Sequence, residues 1–116
     1  MKFNTREIGR LKIIDVEREF TAQVGENFRE YVDSLLKSGV IFIAVNLDKI
    51  DYINSLALGI ILSKMRACRD RGGDLFIVNA IEKIKNIFRL TKLDQIIKIY
   101  DSEGDVVKKI SMIENQ

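Results

Sequence analysis

Short apolar runs alternate along this chain with longer stretches that are apolar on one side only. The segment Ile41–Leu47 is almost wholly apolar and rich in β-branched residues, which predicts a strand covered on both faces of a sheet. Leu75–Val78 and Ile96–Tyr100 are shorter runs of the same kind. These three segments predict the buried strands of one sheet.

The start of the chain predicts a different kind of pairing. Lys2–Ile8 and Leu11–Val16 have strand-like composition, and Gly9-Arg10 lies between them. A two-residue connection that contains glycine is typical of a β-hairpin, in which the two strands are antiparallel. We therefore expect a hairpin at one edge of the sheet.

Amphipathic helices are predicted between the buried strands and after the last one. Their apolar residues recur three and four positions apart, which places them on one buried face. The first helix ends near Lys37 at Ser38-Gly39, and the second runs from about Ser55 to Arg71, where Gly72-Gly73 stops it. Each helix follows a short polar residue that can cap its first N–H groups: Thr21, Asn54 or Ser55, Asn79 with Glu82 in a capping box, and Asp101 or Ser102.

The order of these elements predicts the fold class. Strands separated by helices indicate an α/β layer fold, and crossovers of this kind join parallel strands. We expect one domain over residues 1–116, with a mainly parallel sheet of about four to five strands, a hairpin edge and about four helices.

The composition limits the kinds of partner and the cellular compartment that we expect for this domain. The net charge is +2, and the basic residues cluster on predicted helices, where they are expected to form a solvated face instead of a nucleic-acid site. Cys68 is the single cysteine, which fits a reducing compartment and a small hydrophobe within a helix. No apolar run approaches the length of a membrane span, and the N-terminus has no cleavage-like signal. We expect a cytoplasmic protein without direct membrane insertion.

The residues needed for common catalytic chemistry are missing from the sequence. The chain has no histidine, so it has no Ser-His-Asp arrangement, and with one cysteine it has no credible zinc site. Its glycines form no nucleotide-binding loop. Asp48 and Asp51 lie on a predicted strand-to-helix loop and are more typical of turn chemistry. We expect no catalytic residues, no metal and no cofactor.

The stretch from Val45 to Leu62 resembles the STAS domains, the family of bacterial anti-sigma-factor antagonists. The family pattern is an apolar strand, a D-L pair, a spacer, I-D-S-[SA]-G-L-G and an apolar helix; the corresponding residues here are VNLDKIDYINSLALGIIL. Asn54 stands in place of the motif aspartate and Ser55 in place of the phosphorylated serine. Leu56 and Ala57 replace a small residue and a glycine. RGGDLFIVNA and IFRLTKLDQIIKIYDSEGDVVKKI resemble the later part of the family pattern.

This resemblance implies a partner-switching protein in transcription regulation. The domain would bind an anti-sigma factor that is itself a serine protein kinase, and phosphorylation of Ser55 would release it. The family's G-E-L-D segment corresponds to Arg18–Thr21, which brings Thr21 into the expected site. The expected partner-binding residues are Thr21, Asp48, Asp51, Asn54, Ser55, Leu56, Ala57 and Asn79. The oligomeric state is left open.

Two alternative hypotheses remain from the sequence. In the first, the domain is a constitutive adaptor subunit of a transporter or signalling assembly, Ser55 serves only as a helix cap, and Leu56 contributes to an apolar contact. In the second, Asp15, Asp48 and Asp101 at strand ends bind Mg²⁺ in a small phosphatase. A plain N-cap at Ser55 and a phosphorylated Ser55 fit the sequence equally well.

Overall fold

The computed structural model describes residues 3–115. The helices and strands within these residues are β1 (Asn4–Ile8), β2 (Leu11–Asp15), β3 (Glu19–Phe20), α1 (Ala22–Lys37), β4 (Phe42–Asn46), β5 (Tyr52–Ile53), α2 (Ser55–Asp70), β6 (Asp74–Val78), α3 (Glu82–Leu90), β7 (Lys98–Tyr100) and α4 (Glu103–Glu114). A 3₁₀ turn at Leu93–Gln95 connects α3 to β7.

The main sheet has the strand order β1-β2-β4-β6-β7. β1 pairs antiparallel with β2, and the remaining neighbours pair in parallel. Both central strands, β4 and β6, are buried along their whole length. The predicted α/β class, the hairpin edge, the mainly parallel sheet and the four helices are therefore confirmed.

Alternate residues of each strand face different layers of the molecule. Ile43 and Val45 of β4 belong to a core that also contains buried residues of α1, α2 and α3. Phe42 and Ala44 belong to a second, smaller core with Val106 and Ile110 of α4. Three helices thus cover one face of the sheet and α4 covers the other, which explains why the strands read as unbroken apolar runs.

Three of the predicted helix caps are settled by the structure. The Thr21 side chain accepts a hydrogen bond from the Val24 N–H and caps α1. Asn54, not Ser55, caps α2, and Ser102, not Asp101, caps α4. In each case the capping residue has extended backbone angles, and its side-chain oxygen accepts a bond from an N–H group of the first turn.

The predicted capping box at Asn79 is wrong. Asn79 has a left-handed backbone, with a φ of 60°, and α3 begins only at Glu82 with Ile81 as its N-cap. An N-cap requires extended backbone angles, so Asn79 cannot cap this helix. Its left-handed conformation is one that asparagine adopts more readily than most residues. The chain therefore makes a tight turn at Asn79 before the helix starts.

The strands also differ from the prediction, in the start of β7 and in an additional small sheet. β7 begins at Lys98 and not at Ile96, because Ile96 follows the 3₁₀ turn and its N–H bonds back to the Leu93 carbonyl. β3 and β5 pair in parallel as a separate sheet of two residues per strand, which the sequence did not predict. Lys2, the predicted first residue of the hairpin, lies outside the described residues.

Candidate functional site

The small sheet brings the beginnings of α1 and α2 together. Phe20 of β3 pairs with Ile53 of β5, and the Asn54 N–H donates to the Phe20 carbonyl at 2.8 Å. Thr21 and Asn54 are the next residues along each strand, and each caps the helix that follows it. The two helices therefore start side by side at the carboxyl edge of the main sheet.

This pair of helix starts has no acidic residue in the first turn of either helix. By contrast, α3 has Glu82 in its first turn, and α4 has Glu103 and Asp105. The N-terminal end of a helix carries a partial positive charge, which nearby acidic groups normally offset. The starts of α1 and α2 therefore keep their partial positive charge.

Ser55 is the first residue of α2, and its side chain is exposed. The capping bond is made by Asn54, whose Oδ1 accepts from the Leu56 N–H at 2.7 Å. Asn54 is therefore the cap of α2, and Ser55 does not fill that role. The Ser55 side chain is thus exposed at the first position of α2 without making the capping bond.

Apolar side chains flank this serine on the surface. Leu56 is 52% exposed and Tyr52 is 48% exposed. Ala57, by contrast, has no exposed surface: a Cβ placed on Gly25 of α1 would lie 3.2 Å from the Ala57 Cα. Ala57 thus belongs to the close contact between α1 and α2, and Leu56 and Tyr52 form the outer surface.

The loop between β4 and β5 is folded against the end of the sheet. The Leu47 N–H donates to the Val78 carbonyl at 3.1 Å, and the Ile50 N–H donates to the Leu47 carbonyl at the same distance. Ile50 is fully buried and anchors the middle of the loop. Asp48 and Asp51, in contrast, are exposed. The loop therefore holds a fixed shape while both acids face solvent.

A chain of polar side chains runs beneath this loop. Asn46, at the end of β4, donates from Nδ2 to the Asp15 carboxylate at 2.7 Å. Asp15 also accepts two hydrogen bonds from Arg6, at 2.9 and 2.7 Å, and these bonds are the main reason that the pKa of Asp15 is lowered. Arg6 continues to Glu103 of α4, at 2.8 and 2.5 Å. The polar chain thus connects β1, β2, β4 and α4.

Asn79 joins the same chain from the end of β6. Its Nδ2 donates to Asn46 Oδ1 at 3.2 Å, and its backbone N–H donates to the Tyr100 carbonyl at the same distance. The structure therefore gathers Thr21, Asn54, Ser55 and Leu56 at the two helix starts, and connects Asn79 to the loop through Asn46. Neither Asn46 nor Arg6 was among the predicted site residues, and Asn46 was predicted only as part of the loop that follows the strand. A polar residue directly after a buried strand was the available signal for Asn46.

Two of the three acids of the phosphatase hypothesis are paired with separate cations. Asp15 is paired with Arg6, and Asp101 is paired with Lys85 at 2.6 Å. Over residues 3–115, no group of three or more histidine, cysteine or acidic side chains is placed to hold a metal ion. The structure thus gives no support to the acid cluster that this hypothesis requires.

Two further observations concern reactivity and membranes. Cys68 is fully buried, whereas the sequence favoured a small and only partly buried hydrophobe, and burial raises the pKa of its thiol to about 11. In the part of the chain that the structure describes, no helix has both the length and the apolar character needed to cross a membrane.

Several known proteins are similar to this chain. A Thermotoga maritima protein, named provisionally as an anti-sigma factor antagonist, is 28% identical over 99 residues, which are 84% of this chain and 88% of the relative. A crystal structure of a Thermotoga maritima protein with that description has a TM-score of 0.88 at 26% identity and covers 94% of both chains. The anti-sigma-B factor antagonist of Listeria monocytogenes is 25% identical over 71 residues, 61% of each chain.

The same fold occurs in the anti-sigma factor antagonist SpoIIAA in its unphosphorylated form. The TM-score is 0.81, and the comparison covers 95% of this chain and 96% of SpoIIAA at 17% identity. The model of the STAS domain family matches residues 2–106, nearly the whole chain. The fold, the serine at the start of α2 and this match agree, and the chain belongs to the STAS domain family.

Proposed function

We propose that this domain binds an anti-sigma factor with serine kinase activity and is released when that kinase phosphorylates Ser55. The relatives named as anti-sigma factor antagonists support the binding role. The observation that carries the phosphorylation step is the exposed Ser55 hydroxyl at the first position of α2. Because Asn54 provides the cap, this hydroxyl has no capping role to lose on modification.

A phosphate on Ser55 is compatible with the folded domain. It adds a charge of about −1.5 to −2 at neutral pH. The starts of α1 and α2 lie together without acidic residues in their first turns, so their partial positive charges attract it. The modified domain should therefore stay folded.

The same phosphate weakens binding to a partner that covers this surface. Leu56 and Tyr52 expose apolar area beside Ser55, which suits an apolar contact. A doubly charged group buried in such a contact would lose its hydration without a matching cation. The complex would then dissociate, and a change of about 1.4 kcal/mol already lowers the affinity tenfold.

The chemistry of this step lies in the partner. The kinase transfers the γ-phosphoryl group of ATP to the Ser55 Oγ, the hydroxyl proton passes to a base of the kinase, and ADP leaves. This chain supplies the acceptor hydroxyl and the surface that the kinase recognises. The exposed loop acids Asp48 and Asp51 and the capping residue Thr21 belong to that proposed surface.

The intact mass of the protein isolated from its own cells tests the proposal. We expect a growth-dependent fraction with one phosphoryl group, mapped to Ser55 by peptide sequencing. The Ser55→Ala variant is the control and should carry none. Wild-type protein without phosphate under all growth conditions would contradict the proposal.

The exposed apolar pair also supports a second candidate, a constitutive adaptor without phosphorylation. Substitution of Leu56 by Asp should weaken partner binding in both cases, because it removes the apolar contact. Substitution of Ser55 by Asp separates the two: the switch predicts at least about tenfold weaker binding, and the adaptor predicts little change. Thermal unfolding of both variants controls for loss of fold.

A further inference from the structure

Asn46 is one of the two buried polar or charged residues among residues 3–115, and it is 7% exposed. Both ends of its amide group are used. Nδ2 donates to Asp15, while Oδ1 accepts from the Asp48 backbone N–H and from Asn79 Nδ2, each at 3.2 Å. Its backbone carbonyl accepts from the Val16 N–H. Asn46 thus contacts two neighbouring strand ends and the first turn of the loop.

The path from Asn46 to Ser55 is short and fixed at several points. The bond from Asp48 N–H sets the first turn, and buried Ile50 holds the middle of the loop. The pairing of β5 with β3 then leads directly into the cap at Asn54. These contacts therefore hold several points of the eight residues, 47–54, that separate Asn46 from Ser55.

We propose that Asn46 is a positioning residue that holds residues 47–54 in the form in which the partner kinase recognises Ser55. This inference rests on the proposed function above. An amide is required because the site calls for a donor toward Asp15 and an acceptor toward Asp48 and Asn79 at the same time. Asn46 acts through the loop and does not itself touch the reacting atoms.

Substitution of Asn46 by Asp is the informative change, since it preserves shape and removes the donor. It would place a carboxylate oxygen at the position from which Nδ2 now contacts Asp15 at 2.7 Å. Two carboxylates at this distance repel each other. We expect the loop to move away, so that the bond to the Asp48 N–H is lost.

A charge-swap variant distinguishes positioning from general damage. In the double variant Asn46→Asp with Asp15→Asn, the amide at position 15 can donate to the carboxylate at position 46, which still accepts from Asp48 and Asn79. We expect this variant to recover the loop, although Arg6 loses one of its bonds to residue 15. Asn86→Asp is the matched control, because Asn86 is exposed on α3 and contacts Arg89.

Two measurements test the proposed role of Asn46. The first is amide hydrogen exchange at Asp48 in the purified protein, which we expect to be about tenfold faster in Asn46→Asp and within about threefold of wild type in the swap and control variants. The second is the fraction of each variant that carries phosphate on Ser55 when expressed in the source cells, which should fall and recover in parallel.

The outcomes separate this inference from the proposed function. If the wild type carries no phosphate, the switch fails, and the exchange data alone then decide whether Asn46 holds the loop. If the wild type is phosphorylated and Asn46→Asp matches it in both measurements, the positioning role is overturned. If Asn46→Asp does not fold, Asn79→Gly replaces it: it removes one bond to Asn46 and keeps the left-handed backbone, and it should show a smaller loss in both measurements.

Discussion

Polar residues have opposite roles at the two ends of the parallel strands. We call the end where these strands begin the amino edge of the main sheet, and the end where they finish the carboxyl edge. At the amino edge, the carboxylate of Asp74 at the start of β6 is 6% exposed and accepts from Arg69 Nε at 2.8 Å, while Lys98 Nζ lies 3.3 Å away. Arg69 also donates to the Ile96 carbonyl. Gly73 lies so close to Ile41, the residue before β4, that a Cβ there would be 1.9 Å from the Ile41 carbonyl oxygen. The polar and backbone groups at this edge therefore make their contacts within the domain.

At the carboxyl edge, buried polar contacts occur together with an exposed surface. Asn46 and Asp15 are hydrogen-bonded to each other, while Asp51, Ser55 and Leu56 are exposed. We therefore expect substitutions at the amino edge to alter mainly the free energy of unfolding. Changes at the carboxyl edge should alter mainly binding.

The largest effect on stability is expected at Gly73. An added methyl group in Gly73→Ala would overlap the backbone of Ile41, so the two segments must move apart. We expect a loss of about 3 kcal/mol in the free energy of unfolding, measured by urea denaturation. Gly59→Ala is the matched control: its Cβ meets no atom within 4 Å in the exposed face of α2, and it should gain about 0.5–1 kcal/mol. Equal effects of the two would refute the close fit at Gly73.

Asp74 provides the next test of the amino edge. Asp74→Asn removes the charge between Arg69 and Lys98, whose side chains are 36% and 43% exposed and can be rehydrated. We therefore expect a loss of about 2 kcal/mol in the free energy of unfolding, less than for a fully buried pair. Asp101→Asn breaks the exposed pair with Lys85, which solvent screens, and should cost much less than Asp74→Asn. A larger effect at Asp101 than at Asp74 would overturn the contrast.

A smaller effect on stability is expected at the start of α2. Asn54→Ala removes the cap and should lower the free energy of unfolding by about 1 kcal/mol. Ser55→Ala should change it by less than about 0.5 kcal/mol, because the serine is exposed and does not cap. Thermal and urea unfolding of both variants would measure this. The reverse order would return the capping role to Ser55.

The smallest effect concerns pH at Asp15. Bonds from Arg6 lower the pKa of Asp15 in the folded protein, so its contribution to stability is present above its unfolded pKa of about 4. That contribution is lost as the pH falls through the folded pKa. The difference in unfolding free energy between wild type and Asp15→Asn should therefore shrink below about pH 4. Urea denaturation of both proteins from pH 7 to pH 3 checks this, and a constant difference would contradict it.

The sequence predicted the elements whose signals are local. The run at Ile41–Leu47 predicted β4, and the helical spacing with Gly72-Gly73 predicted the extent of α2 within one residue. The resemblance around Ser55 identified the serine, but the choice between Asn54 and Ser55 as cap depended on backbone angles that the sequence does not display.

The missed features depend on contacts between distant parts of the chain. β3 and β5 have two residues each, too few for a periodic pattern, and form only by pairing with each other. Asn79 had the composition of a cap but is held in a left-handed turn and bonded to Asn46, 33 residues earlier. The polar chain from Arg6 to Asn79 joins the middle of β1 to the ends of three other strands, so no short stretch of sequence contains it.

In the proposed function, phosphorylation of Ser55 ends the partner complex. The most direct test of this step is to isolate the complex from the source cells with the wild type or the Ser55→Ala variant, add Mg²⁺ and ATP, and measure release and intact mass together. The account predicts that the wild type gains one phosphoryl group on Ser55 as it is released, while the Ser55→Ala complex persists. Release of both proteins alike, or release of the wild type without a gain in mass, would contradict it.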